Sequence, residues 1–238
     1  MPFPKSIRSS LAIASLALIA GALGGCHKSN NTTATATATG PLPAASTLIS
    51  QAQTAMSSVQ SVHFALKVDG TIGALPVKTA DGVLTHAGDA KGTATAVELG
   101  ATLEVSFVIV GDSFYFKGPT GGYTKLPLAT ATSFYDPSAI LDPNRGIPKL
   151  LATAQNPKTV GSATIDGKTA YEVALSPDPT AVQSLLPNVG SGVTASIWID
   201  KDSGHVVKGV FNVPNNGKAA VVTITLDNYD APVTISAP

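Results

Sequence analysis

The chain has 238 residues, 44% of them apolar but only 5% aromatic, so any core built from it is aliphatic; at roughly 150 residues per domain, one domain is expected once a leader is set aside. Charged residues make up 13%, about half the ~25% typical of soluble proteins, and there are 22 Gly and 17 Pro, which excludes long exposed helices. Fifteen basic residues balance fifteen acidic ones, which leaves no cationic face for a run of phosphates, and nucleic acid is excluded as a partner.

Residues 1–25 carry Lys5 and Arg8, then an apolar run from Leu11 to Leu23, then Gly24 and Gly25. This is the three-part pattern of a secretory signal peptide. As a membrane span the run is too short against the ~20 residues required, and it is interrupted by Ser15 and Gly21. Leu23-Gly24-Gly25-Cys26 resembles the bacterial lipobox, in which the cysteine is acylated and becomes the first mature residue. Cys26 is the only cysteine, so a disulfide framework and multi-thiolate zinc sites are excluded, and lipid attachment at Cys26 is the expected use. Two or more acyl chains there, at ~0.8 kcal/mol per buried methylene, make a durable anchor. The expected protein is exported, lipid-anchored to the cell membrane and facing the envelope. Residues 26–45, with Thr and Ala alternating from Thr32 to Thr39, cannot bury apolar surface and read as a flexible tether ahead of a domain spanning 46–238.

In that domain Leu48, Ala52, Ala55, Met56 and Val59 recur at helical spacing, with Ser46 placed to cap the start. Period two follows: Val62, Phe64, Leu66 and Val68 alternate with polar neighbours up to a turn at Asp69-Gly70. Asp81-Gly82 reads as a hairpin turn, and one long strand is expected from Val97 through Leu99, Leu103, Val105 and Phe107 to Ile109. Gly111-Asp112 then turns the chain into Phe114-Tyr115-Phe116. Asp136-Pro137, Gly146-Ile147-Pro148 and Asp178-Pro179 each start a short helix with Pro in its first turn. Further strands fit 163–165, 170–175, 193–199, 206–213 and 219–226, joined by Asp166-Gly167, Asp200 to Gly204 and Asn216-Gly217. The reading is α+β, a meander of neighbouring antiparallel strands. Its wide apolar face needs a cover that a few short helices scarcely provide. From pattern alone two structures stand open: a curved sheet over helices with an apolar cavity, slightly favoured by the scarcity of aromatics, or a sheet closed on itself with a dry core.

Motifs for chemistry are missing. The sequence contains no Gly-x-Ser-x-Gly elbow, and His27, His63, His86 and His205 stand apart from one another. Asp200-Lys201-Asp202-Ser203-Gly204 starts like a calcium loop but has its Gly one place early and lacks the distal Glu, so it reads as a hairpin turn. Glu98 and Glu104 fit a solvated strand face, Asp136 and Asp142 fit turn or cap duty before Pro, and Trp198 reads as core. No enzyme activity, cofactor or metal is expected.

Several of these segments together resemble the mycobacterial LppX/LprG/LprA/LprF lipoprotein family. They are Ser61-Val62-His63-Phe64, Ala80-Asp81-Gly82, Phe107 through Gly111-Asp112 to Tyr115, Tyr135 to Pro143 with Gly146-Ile147 and Leu150-Leu151, Trp198-Ile199, Val221 to Leu226, Tyr229 and Pro232 to Ile235. The resemblance covers about Ser46 to Pro238. It implies a curved antiparallel half-barrel wrapped over a few short helices with an apolar cavity between the layers, and a carrier of acylated glycolipids or other multi-chain lipids toward the outer envelope. A lipid transporter in the inner membrane would be its partner. The cavity wall is then expected on the apolar faces, at Phe64, Leu66, Leu103, Val105, Phe107, Ile109, Ile140, Leu150 and Leu151. An envelope lipid esterase and a membrane-anchored adhesion or scaffolding module are the rival readings.

Overall fold

The structure, a computed structural model, describes residues 41–72, 77–98, 100–131, 137–186, 189–215 and 219–238. The expected signal peptide, Cys26, nearly all of the tether, Leu99, Asp136 and the Asn216-Gly217 turn lie outside the described residues. Helix α1 (Ala45–Ser58) opens the domain and buries Leu48, Ile49, Ala52 and Met56 along one stripe. Its N-cap is Ala44, which offers no side-chain bond, so Ser46 lies inside the first turn rather than capping it.

Among the described residues eleven strands follow in one open antiparallel sheet. The first six are β1 (Ser61–Asp69), β2 (Val77–Thr85), β3 (Ala90–Glu98), β4 (Ala101–Val110), β5 (Ser113–Lys117) and β6 (Thr124–Pro127). The last five are β7 (Gln155–Ile165), β8 (Lys168–Ser176), β9 (Thr194–Asp200), β10 (Val206–Val213) and β11 (Ala220–Asp227). Their spatial order is β6-β5-β4-β3-β2-β1-β11-β10-β9-β8-β7, so two meanders meet where β1 pairs with β11. Between the meanders in sequence come α2 (Leu128–Ala131), a 3-10 turn (Pro137–Ile140) and α3 (Ile147–Ala152), and α4 (Pro179–Leu185) sits between β8 and β9.

Register partners share a face of the sheet, which makes the inner face readable in rows. One row runs Leu226, Phe64, Gly82, Gly92, Phe107 and Phe116, and the next runs Ile224, Leu66, Ala80, Ala94 and Val105. Short helices cover the middle of this face. Gly146 caps α3 where a Cβ would lie 2.2 Å from the Ala139 carbonyl oxygen, and Asp178 caps α4 by accepting from the Thr180 and Ala181 amides at 2.9 and 3.2 Å. The sheet is therefore not closed on itself, in agreement with the half-barrel.

Three local expectations are corrected. Asp81-Gly82 lies inside β2; the turn falls at 86–89, where Gly88 supplies a φ of +92° and the Thr85 amide donates to the Asp89 carbonyl at 2.9 Å. The long strand from Val97 to Ile109 is two strands, because Gly100 at a φ of +82° reverses the chain between Glu98 and Ala101. Trp198 belongs to the outer face, half-buried, with the Lys208 ammonium 4.8 Å from its ring centroid, and is not core.

Candidate functional site

Where helices meet sheet, packing is incomplete and an apolar crevice of about 20 Å³ remains. Leu66 of β1, Phe211 of β10, and Val222 and Ile224 of β11 form its sheet side. Ile140 of the 3-10 turn, Ile147 of α3, and Leu185 and Leu186 at the end of α4 form its helix side. That volume admits about one water-sized sphere, and no lining side chain could hydrogen-bond a water, so the space is dry.

Of the nine residues expected in a cavity wall, Leu66 and Ile140 line the crevice. Phe64, Phe107, Ile109, Leu150 and Leu151 are buried in the surrounding core. Val105 is half-buried and Leu103 is 38% exposed, because β4 runs out from under the helix layer. The row through Leu66 continues as Ala80, Ala94 and Val105, so an apolar wall extends from the crevice onto the β2–β4 wing of the sheet. Beside that wing, on β5, the rings of Phe114 and Phe116 lie 6.1 Å apart, both half-buried. Six crevice residues were not singled out from sequence. Ile147, Leu185, Leu186, Phe211, Val222 and Ile224 all fall in elements read correctly as apolar, but which end of each element faces a gap depends on how the layers are stacked.

Polar side chains cluster away from the crevice. His63, on the outer face of β1, has Nδ1 3.0 Å from Asp227 Oδ1 and Nε2 3.3 Å from Asp81 Oδ1. At the β9–β10 turn, Asp200 Oδ1 accepts from the Ser203 amide at 2.7 Å, the Ser203 hydroxyl at 2.8 Å and the Asp202 amide at 3.0 Å. Burial alone would raise this carboxyl, but those donors hold it below its usual range. The segment is the hairpin turn read from sequence. Tyr229 donates to the Val206 carbonyl and stacks on His205 with ring centroids 4.1 Å apart; burial, then the nearby Asp227, Asp200 and Asp230, push its hydroxyl well above 10. Among the described residues no group of three or more His, Cys, Asp or Glu side chains could hold a metal.

The profile of the LppX_LprAFG lipoprotein family matches residues 44–235. The chain belongs to this family. Within the LppX_LprAFG group it is similar to the lipoarabinomannan carrier protein LprG of Mycobacterium leprae, at 32% identity over 100% of this chain and 99% of that one. Its fold is that of LprF from Mycobacterium bovis, with a TM-score of 0.71 at 26% identity, covering 82% of this chain and 96% of that chain. LppX from Mycobacterium tuberculosis shares the fold with a TM-score of 0.62 at 22% identity, over 80% of this chain and 97% of that one. Among the described residues no helix is long and apolar enough to cross a membrane.

Proposed function

We propose that the protein is a cell-envelope carrier that takes the acyl chains of a glycolipid or another multi-chain lipid between its sheet and its helices and delivers them toward the outer envelope. The observation that carries this reading is the crevice: eight aliphatic or aromatic side chains from both layers meet around an unfilled space and present no polar group to it. It is supported by membership in a lipoprotein family in which a relative is named a lipoarabinomannan carrier. Membrane hydrocarbon and such a wall are similarly apolar, so the exchange between them is close to neutral, but relative to water the wall shelters each methylene by ~0.8 kcal/mol, which keeps several chains bound while they cross the aqueous envelope. No bond needs to be made or broken, and no catalytic group is required at the crevice.

In this reading Cys26 bears the acyl anchor, residues 26–45 are the tether, and the domain works at the outer surface of the cell membrane, loaded there by a transporter in that membrane. Phe64, Leu103, Val105, Phe107, Ile109, Leu150 and Leu151 become wall as the layers part. Organic extracts of protein purified from a lipid-rich native host test it. Intact multi-acyl lipid near one per chain is expected; cleaved lipid would indicate an esterase, and extracts without lipid would favour a scaffolding module.

A further inference from the structure

We infer that α4 is the gate of the crevice, a short helix that among the described residues is held to the strands and to the other helices by apolar contact alone, whose outward movement admits the acyl chains; this rests on the carrier reading above. Leu185 and Leu186 end α4 and close the crevice against Phe211, Val222 and Ile224. The bonds that define α4 are its own. Asp178 accepts from the Thr180 and Ala181 amides, the Val182 and Leu186 amides donate back to Asp178 and Val182, and Gln183 Nε2 reaches the Val189 carbonyl at 3.4 Å. Among the described residues none of these bonds reaches a strand or another helix.

The chain is pinned across the fold on both sides of α1, whereas beside α4 it is pinned on the N-terminal side, where Ser176 at the end of β8 pairs with Gln155. Thr159 donates to the Pro43 carbonyl at 2.7 Å just before α1, and just after α1 the Gln60 amide donates to Asp230 at 2.6 Å. The main neighbours of α4 are the 3-10 turn and α3, both short. It is seated by Ala181 and Val182, both almost wholly buried, while Gly192 beyond it holds a φ of +85° where the chain turns into β9. A helix fixed only by side-chain burial can lift as a unit without breaking a hydrogen bond to the sheet, and its own cap travels with it.

Val182 seats α4 without lining the crevice, so Val182→Ala weakens the closed position and leaves the wall intact. Met56→Ala makes a larger deletion under α1, where Met56 is fully buried, and so is a stringent control for loss of packing elsewhere in the helix layer. Full-length protein in the Cys26→Ala background would be mixed with phosphatidylcholine vesicles containing a pyrene-labelled diacyl phosphatidylinositol, and uptake followed by the loss of excimer emission. Val182→Ala is expected to accelerate uptake by up to roughly tenfold at unchanged final loading, the factor that 1.4 kcal/mol lost from the closed state produces, with Met56→Ala unchanged. Lipid loading at the same rate in both variants and the unaltered chain, or equally accelerated in both, overturns the gate while the carrier stands. No loading by any of them overturns the carrier and the gate with it. Should Val182→Ala not fold, hydrogen exchange on the unaltered chain decides: amides of 180–186 are expected to open well ahead of α1, and exchange at the same rate as α1 overturns the proposal.

Discussion

Gly82 and Gly92 face each other across β2 and β3 so closely that a Cβ on Gly92 would lie 2.1 Å from the Asp81 carbonyl oxygen, and one on Gly82 would lie 2.4 Å from that of Lys91. The obstacle in each case is backbone, which cannot rotate away as a side chain can. Gly92→Ala must therefore push the two strands apart at the point where the inner face passes from Phe64 to Phe107. A loss of about 2–3 kcal/mol is expected from the denaturant midpoint at unchanged slope. Gly118→Ala, with open space around its would-be Cβ, is the control and should change little. Equal midpoints for the two variants would contradict this account of the close approach.

His205 gives the domain a pH dependence of known sign. Burial against Tyr229 lowers its imidazole below the ordinary 6.5, Asp230 and Asp200 pull it back up, and Lys168 adds to the lowering. The unfolded chain thus takes up a proton at a pH where the folded one does not. Stability present above 6.5 is lost as pH falls through the folded value. The ring is half-exposed, so solvent screening limits the loss to less than about 1 kcal/mol. His205→Phe keeps the stack and removes the titration; its stability between about pH 7.5 and 5.5 should fall less than that of the unaltered protein. A steeper fall in the variant would reverse the sign. Further down, Asp142 and Asp200 come into play. Burial opposes the charge of each, but hydrogen bonds hold both below the ordinary 3.8, so the unaltered protein and His205→Phe lose stability together at strongly acid pH.

Anchoring and carrying separate cleanly by mutation. Cys26→Ala should move the protein from the membrane to the soluble fraction of cells able to acylate lipoproteins, with the thermal transition of the domain unchanged. Persistent membrane association of the variant would assign attachment to another part of the chain.

Much of the fold was legible because local pattern and tertiary demand agree. Val62, Phe64, Leu66 and Val68 alternate, and all four are buried on the inner face of β1. Asp178-Pro179 starts α4 as read, with the aspartate accepting two amides. Legibility failed where a residue serves a neighbouring strand rather than its own segment. Gly82 looks like a turn residue, yet its lack of a side chain answers Gly92, which is ten positions away in the chain but opposite it in the sheet. The edge strand β6 and the first half of β7 escaped because they are short of apolar alternation: Thr124, Lys125, Gln155, Asn156 and Lys158 are all exposed. The crevice was the least legible feature. Its walls come from six separate elements plus Leu186, and the gap between them is a property of how short helices seat on a curved sheet, which periodicity does not encode.

The central claim is that hydrocarbon enters between sheet and helices at the crevice. Native mass spectrometry of the protein from its lipid-rich host, beside Val222→Trp with its fold checked by circular dichroism, tests it most directly, since Val222 is buried at the sheet side of the crevice and an indole there more than occupies a space of about 20 Å³. The account predicts one multi-acyl lipid per unaltered chain and a folded variant with little or none. Equal lipid on both proteins, or none on the unaltered chain, would contradict it.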